Sequence, residues 1–212
     1  MSRSSFGNRF TVTTWGESHG KALGAVVDGC PAGLPLQESD IQYFLDRRKP
    51  GQSRYTTSRQ EGDQVAILSG VFQGHTTGTP ISMIVWNMAY TYRPGHADFG
   101  FDQKYGFRDY RGGGRSSGRE TIGRVAAGAI ASRILSEMGI SLCTYTRSIG
   151  EIQIQSFDPQ VINKNPFYMP DPLAADKASA YLEERMKNQD SAGGVIECRI
   201  SGVPSGLGEP VF

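Results

Sequence analysis

Polar and apolar residues alternate through Phe10-Thr11-Val12-Thr13-Thr14-Trp15, and a short apolar run follows at Ala25-Val26-Val27. Both patterns predict strands, separated by the polar turn Gly16-Glu17-Ser18-His19-Gly20. Ile41, Phe44 and Leu45 recur at helical spacing, which predicts a short helix over 37–48 that Lys49-Pro50-Gly51 stops. Val65 to Phe72 and Ile81 to Trp86 read as further strands, joined by a Gly/Thr/Pro turn at 74–80. The clearest helix begins at Ser116 or Ser117. Ser117-Gly118-Arg119-Glu120 has the capping-box form, the apolar stripe is Ile122, Val125, Ala126, Ala129, Ile130 and Ile134, and Gly139 ends it. Strand-like segments at 140–146 and 149–155, a Pro-rich loop, a helix over 172–188 and a strand from Val195 to Ile200 complete the pattern. That last helix is expected to turn Leu173, Tyr181, Leu182 and Met186 inward. Hairpin-like turns and few crossover helices favour an α+β fold with antiparallel sheets over a parallel doubly wound sheet. The chain shows no repeat, and it ends on Gly208-Glu209-Pro210-Val211-Phe212 without a closing element, which reads as a truncated chain.

Charge adds a feature that hydropathy does not show. The 212 residues carry 22 Lys+Arg against 21 Asp+Glu, a net +1. From Arg47 to Arg124, however, ten Arg and two Lys meet six acidic residues, so this stretch holds +6 and the remainder −5. The even balance argues against a nucleic-acid coat. The local excess of Arg, whose fork suits carboxylate and phosphate, points to an anion site. With 27 Gly, about twice ordinary usage, many backbone positions must be tight or pass close to a ligand. Cys30, Cys143 and Cys198 are odd in number and widely spaced, which argues against a disulfide framework or a zinc site and fits a reducing cytoplasm. The N-terminus lacks an apolar signal core, and no run is long enough for a membrane helix.

The candidate chemistry lies in four places. Arg108-Asp109-Tyr110-Arg111-Gly112-Gly113-Gly114-Arg115-Ser116-Ser117 puts three glycines ahead of a helix start, a phosphate-cradle pattern that lacks the spacing of a nucleotide P-loop or a dinucleotide fingerprint. A flexible turn and an RGG-type RNA contact are the other readings. Arg47-Arg48-Lys49-Pro50-Gly51-Gln52-Ser53-Arg54-Tyr55 lies at a helix C-terminus, where cations are favoured in any case; Arg48 and Arg54 would also supply forked donors for a dianion. His19 and His96 sit in polar, glycine-bounded turns where they would act as proton donors, or would simply be solvated. Asp98 would orient His96 or cap a turn, and His75 reads as a surface hairpin residue. No metal-ligand spacing occurs, and the GxSxG shape around Ser18 precedes no helix, so it is a weak nucleophile elbow.

Together these motifs resemble the chorismate synthase family. Thr13 to Gly20, Asp46 to Gly51, Arg93-Pro94-Gly95-His96-Ala97-Asp98 and Arg108 to Ser117 occur in the family's order, with Gly70-Val71-Phe72 and Ser191-Ala192-Gly193-Gly194 in support. The resemblance implies a single family domain with a β-α-β sandwich, in which antiparallel sheets flank a helical layer, and assembly as a homotetramer. It implies the last common step of the shikimate pathway: 1,4-anti elimination of phosphate from 5-enolpyruvylshikimate 3-phosphate to give chorismate, with reduced FMN as cofactor. On that basis His19 serves the departing phosphate and His96 the reduced flavin. Arg48 and Arg54 hold the phosphorylated substrate or NADP, and Arg115, Ser116 and Ser117 contact FMN. The flavin would be reduced by NADPH on this protein or by a separate flavin reductase. No nucleic-acid or membrane partner is implied. Two departures stand out: the family's C-terminal part is missing, and about a dozen residues rich in Asp and Ser are missing near 87–92. A chain truly lacking both is expected to have weak or no activity. The rivals are an RNA- or phospholigand-binding module built on the Arg/Gly stretch, which the pI near 7.7 does not favour, and an independent flavin reductase, for which no dinucleotide fingerprint exists.

Overall fold

The computed structural model describes residues 4–18, 20–49, 55, 62–87, 103–104, 106 and 114–208. The chain divides into two compact units, Met1–Pro50 with Arg59–Ile134 and Gly51–Ser58 with Leu135–Phe212.

In the first unit, β1 (Ser5–Phe6), β2 (Thr11–Gly16), β3 (Ala22–Asp28), β4 (Val65–Ile67) and β7 (Ile81–Trp86) form one sheet in the order β1-β2-β3-β7-β4. Every neighbouring pair is antiparallel. The register sets Val12 against Val27, Leu23 against Val85, and Val65 against Val85. Paired residues share a sheet face, so one face is almost wholly apolar. Onto it pack Ile41 and Leu45 of helix α1 (Glu38–Arg48) and Ile122, Ala126, Ala127, Ala129 and Ile130 of helix α2 (Thr121–Glu137). Gly123 permits the close approach of α2, since a Cβ there would lie 2.8 Å from the Gly24 carbonyl oxygen and 3.1 Å from Thr14 Cγ2.

Two expectations change here. The strand expected over Val65 to Phe72 breaks after Ile67. Gly70 adopts φ +80, where a Cβ would lie 2.7 Å from Ile81 Cγ1, and Ser69 Oγ donates to the Pro80 carbonyl, so the chain turns into a separate hairpin of β5 (Val71–Phe72) and β6 (His75–Thr76). The expected capping box is only half present. Ser117 Oγ accepts from the Arg119 N–H at 3.4 Å, but the Glu120 carboxylate takes side-chain partners instead of the Ser117 backbone. Two 3-10 turns, Gly114–Ser116 and Gly118–Glu120, therefore precede a helix that starts only at Thr121.

In the second unit, β8 (Ser141–Ile149), β9 (Ile152–Gln153) and β10 (Gly194–Ser201) form an antiparallel sheet in the order β10-β8-β9. The two strands expected at 140–146 and 149–155 are thus one long strand and a short return, turning at Gly150. Helix α3 (Pro172–Lys187) buries Ala174, Ala175 and Ala178, which pack with Phe167, Met169 and Leu182. Leu173 and Met186, expected inward, are 73% and 53% exposed. The cap decides this: Asp171 sets the start of α3, and Leu173 then falls about 100° round the helix from Ala174. Tyr55 joins this unit by stacking on Phe167 and bonding Ser179 and Glu183 of α3.

Asp171 is buried and accepts four backbone N–H groups, from Gln155 (2.8 Å), Ser156 (3.1 Å), Leu173 (3.0 Å) and Ala174 (3.2 Å). The Gln155 bond foremost, against some burial, holds its carboxyl below the ordinary aspartate value. A lowered folded-state pKa gives stability that is complete above the unfolded value, near pH 4, and is lost as pH falls through the lower folded value. Asp171→Ala is expected to destabilise the unit by about 1–2 kcal/mol at neutral pH and to remove that acid limb. Denaturant midpoints measured from pH 2 to 7 check both.

Candidate active site

Strand β2 ends at Gly16, and a turn closed by the Gly20 N–H on the Glu17 carbonyl (3.1 Å) leads back into β3. The run from Gly114 lies against this turn. Arg115 donates from Nη1 to the Gly16 carbonyl (3.2 Å) and from Nη2 to Thr14 Oγ1 (2.6 Å) and Glu120 Oε1 (3.2 Å). The Thr14 hydroxyl donates in turn to Glu120 Oε1 (2.8 Å), and Arg124 Nε closes on the other carboxylate oxygen (2.8 Å). Burial pushes Glu120 up, but the bonds from Arg124 and Thr14 outweigh it and leave its pKa below the ordinary value.

Arg48, in the last turn of α1, is committed on three sides. Its Nη1 meets Asp63 Oδ2 (2.8 Å), its Nε meets Thr121 Oγ1 (3.1 Å), and its Nη2 meets the Gly118 carbonyl (3.2 Å). Burial lowers the guanidinium pKa, and Asp63 opposes that shift. The Asp63 side chain is 0% exposed, and its second oxygen accepts from Arg119 Nη1 (3.0 Å). A fully buried carboxylate costs several kcal/mol unless it is paired; here two guanidiniums share it. Gln42 of α1 holds the segment by donating to the Asp63 carbonyl and accepting from the Val65 N–H. Arg119 then forks onto Asn87 Oδ1 from Nε (3.2 Å) and Nη2 (2.8 Å), and Asn87 Nδ2 reaches the carbonyls of Glu17 (3.0 Å) and Gly20 (2.8 Å).

Three motifs distant in sequence therefore meet in the first unit: the turn after β2, the basic end of α1 and the run from Gly114. Of the residues singled out in the sequence, Arg48, Arg115 and Ser117 are brought together here. Ser116 is described as backbone within the first 3-10 turn, and His19, Arg54 and His96 lie outside the described residues. The glycine run does not open directly onto the helix, because the 3-10 turns stand between Gly114 and Thr121; Gly112 and Gly113 are outside the described residues. The sequence reading missed Thr14, Asp63 and Asn87 as members of the network; it counted Arg119 in the basic excess without a partner and treated Glu120 only as part of a cap. An acidic residue within a strongly basic stretch was a signal for Asp63, but no spacing ties it to both Arg48 and Arg119. Among the described residues, no three metal-ligating side chains cluster, and no helix is long and apolar enough to cross a membrane.

The sequence model of the chorismate synthase family matches residues 10–212. The chorismate synthase of Agathobacter rectalis is 65% identical across the whole chain, and that of Lachnoclostridium phytofermentans 63%. Both alignments run over 224 positions against 212 residues, so at least 12 positions of each relative have no counterpart here. The chain spans 61% of the length of each of these relatives. A crystal structure of chorismate synthase superposes with a TM-score of 0.80 at 33% identity, over 95% of this chain and 60% of that one, and the antiparallel α+β architecture agrees with it. With the motifs, the fold and the match over nearly all its residues in accord, the chain belongs to the chorismate synthase family.

Proposed function

We propose that the full-length protein is a carbon–oxygen lyase that converts 5-enolpyruvylshikimate 3-phosphate to chorismate by 1,4-anti elimination of phosphate, with reduced FMN as cofactor. The observation that carries this reading is that Arg115 directly, and Arg119 through Asn87, hold the turn after β2, while Arg48 joins the same network at Asp63 and Gly118. Cations gathered on a framework that shields them from water lower the cost of binding a multiply charged substrate and stabilise phosphate as it departs. Arg48 and Arg54 would hold the phosphorylated substrate or NADP. His19 would protonate or hydrogen-bond the departing phosphate, and His96 would stand at the flavin.

A flavin mononucleotide would be met by the run from Arg115 to Ser117. The Arg115 guanidinium is turned inward onto Gly16, Thr14 and Glu120. The Arg115 to Ser117 run would therefore offer the cofactor its serine hydroxyls, with Arg115 as the brace behind them. When bound, reduced flavin would supply electron density transiently, with no net redox change over the elimination. Overall, phosphate would leave with the C–O electron pair, C6 would give up a proton, and the C6–H electron pair would go into the new double bond.

The part of the family beyond this chain would complete the flavin site, and the loop missing near 87–92 would account for the 12 positions of the relatives without a counterpart here. A homotetramer in the cytoplasm, with NADPH or a separate flavin reductase as the source of reducing equivalents, completes the reading. Anaerobic incubation of the substrate with chemically reduced FMN and full-length protein is expected to yield chorismate, with little or none from the 212-residue chain by itself. Full-length protein that forms no chorismate sinks the assignment.

A further inference from the structure

A continuous hydrogen-bonded path runs from a buried charge to the turn that contains position 19. Asp63 Oδ1 accepts from Arg119 Nη1 (3.0 Å), and Arg119 Nε and Nη2 both donate to Asn87 Oδ1 (3.2 and 2.8 Å). Because the acceptor end of the Asn87 amide faces this cation, its NH2 end must face the other way. There it donates to the carbonyls of Glu17 (3.0 Å) and Gly20 (2.8 Å), the residues that flank Ser18 and His19 in sequence. The Asn87 main-chain N–H on the Lys21 carbonyl (3.1 Å) fixes the same residue from its backbone. The turn is thus gripped at both ends by one amide, and that amide is oriented by a guanidinium that is itself held by a fully buried carboxylate.

We propose that Asn87 is a positioning residue for His19: it holds the Glu17–Gly20 turn in place, and Arg119 and Asp63 hold Asn87. The proposal rests on the reading above that His19 serves the departing phosphate. Asn87 exchanges no proton with the substrate; its effect passes entirely through the turn. A misplacement of about 1 Å at a reacting group costs on the order of 100-fold in rate, which sets the scale of what this anchor protects.

The test uses the full-length protein with Asn87→Ala and Asn87→Asp, each alone and combined with His19→Ala. Asp keeps an acceptor for Arg119 but has no N–H for the two carbonyls. Both variants are expected to lower kcat by about 10- to 100-fold with KM for the phosphorylated substrate within about 3-fold. Neither should lower the kcat of the His19→Ala protein by more than about 2-fold, because residues acting through one another are not additive. Without substrate or flavin, hydrogen exchange at the Ser18 and Gly20 amides should quicken by about 10-fold or more while β3 stays protected. Wild-type kcat in Asn87→Asp would show that Asn87 serves only Arg119 and would overturn the proposal. So would multiplied losses in the double variants, or unchanged exchange at the turn. If the unsubstituted protein forms no chorismate, the parent reading fails, and the exchange measurement still decides whether Asn87 holds the turn.

Discussion

Asp63→Ala is expected to lower the unfolding free energy by about 3–5 kcal/mol, the usual cost of removing one partner from a buried charge network. Its carboxylate is completely enclosed, and the two guanidiniums it pairs are only 18% and 7% exposed, so water cannot replace it at either. Alanine adds a backbone cost, since residue 63 sits at φ +43, a left-handed conformation that Asp and Asn tolerate better. Asp63→Asn separates the two effects. It keeps the shape and the backbone preference but not the charge, and is expected to lose about 1.5–3 kcal/mol. Denaturant unfolding followed by circular dichroism reads both. Wild-type stability in Asp63→Ala would mean that Arg48 and Arg119 do not depend on this carboxylate, and the network would then be incidental to the fold.

His19→Ala in the full-length protein is expected to lower kcat by about 10²- to 10⁴-fold, the range for loss of a positioned proton donor, with His96→Ala in the same range. The two losses should differ in kind. His19 is proposed to serve the departing phosphate, so its loss should leave binding of reduced FMN unchanged. His96 is proposed to serve the flavin, so its loss should weaken that binding as well. Single-turnover formation of chorismate under anaerobic conditions, with a parallel titration of reduced FMN, separates the two. Wild-type turnover in both variants would end the proton-transfer roles, whatever becomes of the rest of the site.

Local pattern carried much of the fold. Ile41, Phe44 and Leu45 announced α1, and the alternation around Val12 announced β2, because hydrophobic periodicity is imposed by the single face each element buries. Where it misled, a neighbour distant in sequence intervened. Glu120 has the position of a capping-box carboxylate, yet Thr14 and Arg124 offer it stronger partners than the Ser117 backbone, and the helix start moves to Thr121. Leu173 and Met186 looked like a buried stripe, but α3 packs through alanines, whose small side chains carry almost no periodic signal.

The candidate site divides in the same manner. The excess of Arg between positions 47 and 124, the turn around Ser18 and the motif order were all readable in the chain, and they sufficed to identify the family and to expect an anion site. Only the tertiary structure decided which groups those arginines face. Arg48 and Arg119 stand 71 residues apart and are joined by one carboxylate at Asp63, while Asn87 ties that pair to Glu17 and Gly20. Residue types and short spacings record the chemistry a segment can offer. Long-range hydrogen bonds among buried charges are set by how the strands and helices pack, and no local pattern encodes that packing.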